Sequence, residues 1–122
     1  MWRMAETRVI RKYANRRLYD ATDSRHVTLE DIRKLIAGGE RIKVVDDRSG
    51  VDLTRCVLLQ IIYEQEQLGA PVLGMDLLEG LIRSYGSPTQ HMLARLMEQS
   101  VETALQSQQN AAAAAALPEV HE

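Results

Sequence analysis

Basic side chains that can bind phosphate are concentrated near the start of this 122-residue chain. Residues 1–25 contain seven basic and three acidic side chains, a charge of +4 in a chain whose net charge is −2. Most of these basic side chains are arginines, whose guanidinium group donates two parallel hydrogen bonds to a phosphate. A block of like charges repels itself unless an anion binds it. The pattern predicts a polyanion site; the alternative is a solvated basic terminus that faces the acidic remainder of the chain.

Apolar and aromatic residues are interleaved with the basic ones in the segment RVIRKYANRRLYD, residues 8–20. A low-complexity basic tail lacks such residues. A segment of this composition can pack one side against a core and present its other side to solvent. We therefore expect the basic side chains to be displayed by a folded surface.

Residue patterns typical of catalysis and metal binding are absent from the sequence. There is no glycine-rich phosphate loop, nucleophile elbow or dinucleotide fingerprint. Asp46 and Asp47 are adjacent carboxylates, but neighbouring strand residues point to opposite faces and a turn follows. His26, His91 and His121 are too far apart in the sequence to predict a metal site. We therefore predict neither an enzyme nor a metal or cofactor site.

The single cysteine, Cys56, excludes an intrachain disulfide and fits a reducing cytoplasm. It lies among apolar residues, so we expect it to be buried as a small hydrophobic side chain. No apolar stretch approaches the length of a membrane span, about 20 residues. The charged N-terminal residues contain no apolar segment of a secretory signal. The expected location is the cytoplasm, with no membrane partner.

Four strands are predicted in the first half of the chain, where β-branched and aromatic residues cluster. The polar turn formers of residues 21–24 predict a hairpin between the second and third strands. The predicted strands are Val9–Tyr13, Leu18–Asp20, Arg25–Thr28 and Ile42–Val45.

Two helices are predicted among these strands. Thr28 is the expected N-cap of the first, and Gly38-Gly39 ends it. Thr54 is the expected N-cap of the second, which continues to about Leu68. Apolar residues surround much of the second helix, a pattern typical of a central core helix.

Only helices are predicted after the break at Gly69–Pro71. Asp76 with Glu79 indicates a capping box, and Ser87–Gln90 is a strong helix start that leads towards a run of six alanines. The predicted fold class is α+β, with a small N-terminal domain of short strands plus two helices over residues 1–68. A helical extension over residues 69–117 and a disordered tail over residues 118–122 follow.

The predicted helices of the extension carry a broad apolar face that its own chain has few residues to cover. We expect this face to form dimer or tetramer contacts; the alternatives are packing within the same chain and binding of a water-insoluble ligand. Its candidate residues are Leu78, Leu81, Ile82, Leu93, Leu96, Met97, Val101 and Leu105.

Residues 8–66 resemble the N-terminal DNA-binding domain of the bacterial polyhydroxyalkanoate synthesis repressors. The family usually has proline at the position of Ala14. Residues 75–109 are similar, less specifically, to the helical polymer-associated segment of the family. The most specific matches are Lys12-Tyr13, Asn15-Arg16-Arg17-Leu18-Tyr19-Asp20, Thr28-Leu29-Glu30-Asp31 and Asp52-Leu53-Thr54-Arg55, followed by Leu59-Gln60-Ile61-Ile62.

The resemblance implies a cytoplasmic, granule-associated repressor of the genes for polyhydroxyalkanoate granule-coat proteins (phasins) and of its own gene. The implied partners are double-stranded promoter DNA, further copies of the chain, and polyhydroxyalkanoate (polyhydroxybutyrate) polymer or oligomers that displace the repressor from DNA. The alternative is a granule-surface module, or a protein- or RNA-interaction module, without sequence-specific DNA binding.

On this interpretation the basic segment contacts DNA. Its cations bind phosphates and Asn15 is free to read a base edge, whereas packing is an equal alternative for the two tyrosines. If two subunits each place Arg11, Lys12, Arg16 and Arg17 on phosphates, the slope of log K against log salt is about −7. The candidate DNA-binding residues are Arg8, Arg11, Lys12, Tyr13, Asn15, Arg16, Arg17 and Tyr19.

Overall fold

The computed structural model describes residues 7–69 and 71–116, so the predicted tail over residues 118–122 lies outside the described residues. Its contacts divide the chain into two compact units, Met1–Val72 and Leu73–Glu122. The first unit holds the strands and two helices, and the second is helical. The predicted α+β class with a helical extension is confirmed.

A four-stranded mixed sheet forms one layer of the first unit. The strands are β1 (Thr7–Lys12), β2 (Leu18–Asp20), β3 (Arg25–Val27) and β4 (Arg41–Asp46). Their order across the sheet is β3-β2-β1-β4. The pairs β1–β2 and β2–β3 are antiparallel, so the predicted hairpin is present, whereas β4 runs parallel to β1. The first strand, β1, therefore lies inside the sheet, and the last strand, β4, pairs with it at one edge.

Two helices, α1 (Leu29–Ala37) and α2 (Thr54–Leu68), form the second layer. Both pack against the same face of the sheet, because side chains from every strand and both helices share one buried cluster. We call this pair the helix layer. The buried cluster consists of Ile10, Leu18, Val27, Ile32, Val44, Val57 and Ile61.

Helix α1 begins at the predicted cap. The Thr28 hydroxyl accepts a hydrogen bond from the Asp31 N–H at 3.1 Å, and the Asp31 carboxylate accepts one from the Thr28 N–H at 2.9 Å. This reciprocal capping box satisfies two backbone donors at the helix start. The helix ends before Gly39, whose φ of 99° is accessible to glycine at little cost.

The prediction that Thr54 caps α2 is wrong. The N-cap is Leu53, which has no side-chain hydrogen bond, and Thr54 is the first helical residue. The Thr54 hydroxyl accepts a hydrogen bond from the Val44 N–H at 2.9 Å, while Asp52 accepts one from the Thr54 N–H at 2.8 Å. Thr54 thus ties the helix start to the edge strand β4, a contact between residues ten positions apart.

The prediction that α2 is a central core helix is also wrong. Only Val57 and Ile61 are buried, and Leu59 is 63% exposed, because the helix meets the sheet along one face. Cys56, which the sequence predicts to be buried, is exposed on this helix. Helix α2 therefore covers the sheet from one side and is not enclosed by it.

The second unit consists of α3 (Met75–Ser84) and α4 (Gln90–Ala116). The capping box predicted at Asp76 is wrong, because α3 begins after Gly74 and Asp76 already lies in its first turn. Its predicted partner Glu79 instead accepts a hydrogen bond from Arg83 at 3.0 Å.

The start of α4 uses the side chains that the sequence indicates, although the helix begins at Gln90 rather than at Pro88. The Ser87 hydroxyl accepts a hydrogen bond from the Thr89 N–H at 3.3 Å, and the Gln90 side-chain oxygen accepts one from the Gly86 N–H at 2.8 Å. These bonds satisfy backbone donors in the turn between the two helices.

Candidate nucleic-acid interface

One face of the sheet has no covering element among the described residues of the first unit. Successive strand residues point to opposite faces, so the neighbours of buried Ile10 and Val44 project away from the helix layer. We call this side the open face. Its residues are Thr7, Val9, Arg11, Tyr19, His26, Arg41, Lys43 and Val45, which are half-buried or exposed.

A row of side chains crosses the open face from β3 to β4. His26 pairs with Tyr19 across β3 and β2, and Arg11 lies between Tyr19 and Val45. The rings of Tyr19 and His26 meet edge to face with centroids 5.4 Å apart, and those of Tyr19 and Tyr13 are 6.2 Å apart. The tyrosines therefore pack against each other on the open face, outside the buried cluster.

The loop of residues 13–17, between β1 and β2, is closed by hydrogen bonds within itself. The Tyr13 N–H donates to the Arg17 carbonyl at 2.9 Å, and the Arg16 N–H donates to the Tyr13 carbonyl at 2.8 Å. The Asn15 side-chain oxygen accepts a third bond from the Arg17 N–H at 3.1 Å. These bonds fix a loop from which Asn15, Arg16 and Arg17 project into solvent.

Arg16 has a φ of 68°, a left-handed conformation that is unfavourable for a residue with a side chain. Such a conformation costs of the order of 1 kcal/mol and persists only where surrounding contacts enforce it. The hydrogen bonds around Tyr13 and Arg17 provide that enforcement. The backbone position of Arg16 is therefore set by a strained loop of defined geometry, from which its side chain is exposed to solvent.

Arg8 is the one candidate whose guanidinium group is occupied by three carboxylates of its own chain. It lies 2.8 Å from Asp20, 3.1 Å from Asp23 and 3.2 Å from Glu40, and its side chain is only 15% exposed. The hydrogen bond to Asp20 is the main cause that raises the pKa of Arg8 above its usual range. Arg8 therefore ties β1 to Asp20 on β2 and to Glu40 just before β4. Unlike the exposed candidates, its guanidinium group is already bound within the chain.

The other cations remain available to an external anion. Arg11 is 3.7 Å from Asp47, a loose contact between side chains that are 46% and 35% exposed. Lys12, Arg16 and Arg17 form no ion pair with the described residues. The positive charge of the segment is thus only partly neutralised by the side chains that the structure describes.

Two shallow hollows flank the Tyr13–Arg17 loop. One, of about 340 Å³, brings Arg16 and Arg17 together with His26, the middle residue of β3. The other, of about 380 Å³, brings Asn15 together with Arg48 in the turn after β4, and the carboxylates Asp46 and Asp47 also line it. Sequence reasoning missed His26, Lys43 and Arg48, although alternation along the strands indicates the outward direction of the first two.

The adjacent carboxylates Asp46 and Asp47 have structural partners. Asp46 accepts hydrogen bonds from the backbone N–H groups of Ser49 and Arg48 and from the Ser49 hydroxyl, at 2.8, 3.1 and 3.0 Å. The bond from the Ser49 backbone is the largest cause that lowers the pKa of Asp46.

Across residues 7–69 and 71–116, no cluster of histidine, cysteine and acidic side chains could hold a metal ion.

The apolar candidates of the second unit fall into two groups. Leu81, Leu93 and Met97 are half-buried, and the other five remain exposed: Leu78, Ile82, Leu96, Val101 and Leu105. A hollow of about 280 Å³ between α3 and α4 includes Met92, Leu93 and Leu96. Among the described helices, none is long and apolar enough to cross a membrane.

Comparison with known proteins gives matches over both units. The model of the PHB/PHA accumulation regulator DNA-binding domain matches residues 9–69, and that of the PHB accumulation regulatory domain matches residues 73–111. An uncharacterized protein of Allochromatium vinosum is 42% identical over 106 residues, which cover 87% of this chain and 69% of that protein. A Thiocystis violacea protein, described as uncharacterized and lying in the phbA 5′ region, is 43% identical over 107 residues, which cover 88% of this chain and 78% of that protein. No solved structure matches the chain.

Proposed function

Because this chain belongs to the PHB/PHA accumulation regulator family, a family of regulators with a DNA-binding domain and not of enzymes, we propose that it is a transcriptional repressor of polyhydroxyalkanoate granule-associated genes. It acts in the cytoplasm and associates with granules, and polymer releases it from promoter DNA. The observation that carries this proposal is the Tyr13–Arg17 loop, which displays two exposed arginines that form no ion pair with the described part of the chain, within the matched domain.

Arg11, Arg16 and Arg17 are the phosphate contacts in this proposal; the fourth candidate, Lys12, pairs with buried Leu18 and therefore projects from β1 on the side of the helix layer. Arginine side chains held by a rigid loop lose less freedom on binding than those of a flexible tail, and bidentate contacts to phosphate fix the orientation of the domain on DNA. Arg8 is left out of this set, because three carboxylates already bind its guanidinium group.

Asn15 is the proposed reader of a base edge. Its side-chain oxygen is bound to the Arg17 N–H, which leaves the amide nitrogen as a donor towards acceptors in the groove. Tyr13 and Tyr19 support the loop and the sheet through their ring contact, and their hydroxyl groups can donate to phosphate.

The second unit supplies the proposed oligomer contacts and polymer sensor. Leu96, Val101 and Leu105 are 54–58% exposed on α4, so they have apolar surface to cover. A second copy of the helix can cover it in a dimer or tetramer, and an aliphatic polyester can compete for it. A polymer that binds the free protein better than the DNA-bound protein shifts the equilibrium away from DNA.

Sequence-selective DNA binding, measured with and without polyhydroxybutyrate oligomers, tests this function. Fluorescence anisotropy is recorded with a granule-gene promoter fragment and with a scrambled fragment of the same length, at fixed salt and with heparin as competitor. We expect preference for the promoter and its loss when oligomers are added. Equal affinity for both fragments would instead support an interaction module without specific DNA recognition, and preference that survives saturating oligomer would remove the sensor from the proposal.

A further inference from the structure

We infer that the DNA-binding surface extends from the Tyr13–Arg17 loop across the open face of the sheet, with His26 on β3 and Lys43 on β4 as phosphate contacts at its two sides. This inference rests on the proposed function and adds contacts that lie outside the basic segment of residues 8–20. Both residues are exposed, and strand alternation places both on the side of the sheet opposite the helix layer.

The register of the strands joins these residues to the loop in one surface. His26 contacts Tyr19, Tyr19 lies opposite Arg11, and the Tyr19 ring also contacts that of Tyr13 at the start of the loop. On the other side, Lys43 lies opposite Val9 in the parallel pair of β1 and β4. The surface is therefore continuous from the edge strand β3, through the loop, to the edge strand β4.

The charge on this surface favours a polyanion as its occupant. Arg11, Arg41 and Lys43 project from the open face, and Arg16, Arg17 and His26 line the hollow beside the loop. Two carboxylates lie near the rim and keep their negative charge, and one of them, Asp52, interacts electrostatically with Lys43. Asp47 is 3.7 Å from Arg11, while Asp52 accepts a hydrogen bond from the Thr54 N–H at 2.8 Å. Positive charge remains in excess over the whole face.

The width of the sheet matches duplex DNA. Three strand spacings separate β3 from β4, a distance of about 14 Å. The major groove of B-DNA is about 12 Å wide between its phosphate walls. Cations on β3 and β4 therefore lie over the two phosphate walls when Tyr19 and Arg11, in the middle of the row, lie over the groove. An imidazole N–H can donate to a phosphate oxygen, and the Lys43 ammonium group can pair with one.

A pair of lysine variants tests which side of the sheet faces DNA. Lys43→Gln removes one exposed charge from the open face, and Lys34→Gln removes one exposed charge from α1 in the helix layer. Both change the net charge equally. We expect Lys43→Gln to weaken binding about 10-fold, equally for promoter and scrambled fragments, and to reduce the magnitude of the salt slope by about 1 per subunit. Lys34→Gln is expected to bind within about twofold of the original protein.

His26→Ala tests the opposite side of the same surface. Its affinity is expected to fall about fivefold for both fragments, since a phosphate contact carries no sequence information. Circular dichroism and light scattering of all three variants verify that the fold and the oligomeric state are retained.

The inference is overturned if Lys43→Gln and His26→Ala bind like the original protein, while Arg16→Ala with Arg17→Ala abolishes selective binding; the proposed function then stands alone. Equal losses for Lys43→Gln and Lys34→Gln would reduce the effect to overall charge and also overturn it. A changed oligomeric state of Lys43→Gln would show that a second copy covers the open face. Failure of the original protein to prefer the promoter fragment would remove the proposed function together with this inference.

Discussion

Arg8 and Arg16 have the same side chain and lie in the same basic segment, yet their surroundings differ completely. Arg8 contacts Asp20 and Glu40, which are 12 and 32 positions away in the sequence. Arg16 projects from a loop and has no ion pair among the described residues. The sequence predicts a basic surface, but it could not separate the two arginines, because the carboxylates that bind Arg8 are brought to it only by the folded sheet.

The exposed arginines are expected to contribute most of the DNA affinity of the basic segment. Hydrogen bonds between charged groups contribute about 1.5–3 kcal/mol each, so Arg16→Ala with Arg17→Ala is expected to weaken promoter binding by roughly 100-fold or more. Anisotropy titration measures the loss, and an unchanged circular dichroism spectrum excludes unfolding. Lys34→Ala with Arg55→Ala, which removes two exposed charges from the helix layer, is the matched control. Equal losses for both double variants would contradict the assignment.

Arg8→Ala is expected to destabilise the fold rather than to remove a DNA contact. It leaves Asp20, which is 1% exposed, without its cation, and loss of one partner of a buried pair costs about 3–5 kcal/mol. Urea unfolding measures this difference, with Arg16→Ala expected to lie within about 0.5 kcal/mol of the original protein. Adding Asp20→Asn to Arg8→Ala is expected to recover part of the loss, since it removes the uncompensated charge. Additive losses would contradict a shared ion pair.

At the scale of the elements, features that depend on neighbouring residues are predicted well from the sequence, whereas contacts between distant residues are not. The capping box of Thr28 and Asp31 spans three residues, and the hairpin needs only its turn and two short strands. Thr54, by contrast, carries the signal of a cap but binds β4, ten positions away. The apolar residues around α2 indicate burial, yet they do not reveal that the sheet covers only one face of that helix. The same limit hides the open face, since the pairing of β1 with β4 follows from the three-dimensional fold.

Loss of the capping box is expected to weaken the first unit. Thr28→Ala removes the hydroxyl that accepts from the Asp31 N–H, and losses of such caps cost about 1 kcal/mol. Thr28→Ser retains the hydroxyl and is expected to lose less than half of that amount. Urea midpoints of the three proteins measure the effect. A destabilisation by serine as large as that by alanine would show that the cap is not its cause.

Acid is expected to destabilise this unit through two turn carboxylates. Hydrogen bonds from the Thr28 backbone and hydroxyl lower the pKa of Asp31, and those from Ser49 lower the pKa of Asp46. Because both pKa values lie below their ordinary value of 3.8, the stabilisation is fully present above that pH. It is lost as pH falls through the folded pKa values. Urea midpoints between pH 6 and pH 2 are expected to decline less steeply for Asp46→Asn than for the original protein, and identical profiles would contradict this account.

At the scale of the whole molecule, the second unit has more apolar surface than its own helices can cover. Helix α4 contains 27 residues and α3 contains ten, so their lengths are about 40 Å and 15 Å. The shorter helix can cover only part of the longer one. No described residue of this unit is buried, and Val101 and Leu105 are 58% and 54% exposed. Surface of this kind is typical of subunit contacts and of apolar ligand sites.

Charge introduced on this surface is expected to separate the subunits. Val101→Glu with Leu105→Glu places carboxylates where the proposal puts a second copy, and light scattering is expected to show a monomer. The magnitude of the salt slope of DNA binding is expected to fall to about half, because one subunit then contributes its cations. Thr103→Glu adds charge to the opposite, polar side of α4 and is expected to leave the assembly intact. Retention of the oligomer by the double variant would remove these residues from the subunit interface.

The exposed thiol of Cys56 can be labelled chemically at a position away from the open face. It is the single cysteine of the chain, and it lies on α2, which packs on the side of the sheet away from the open face. A maleimide fluorophore can therefore be attached at one defined position without engineering the protein. The dye would report slower tumbling as a complex forms, while its immediate environment stays clear of the surface assigned to DNA.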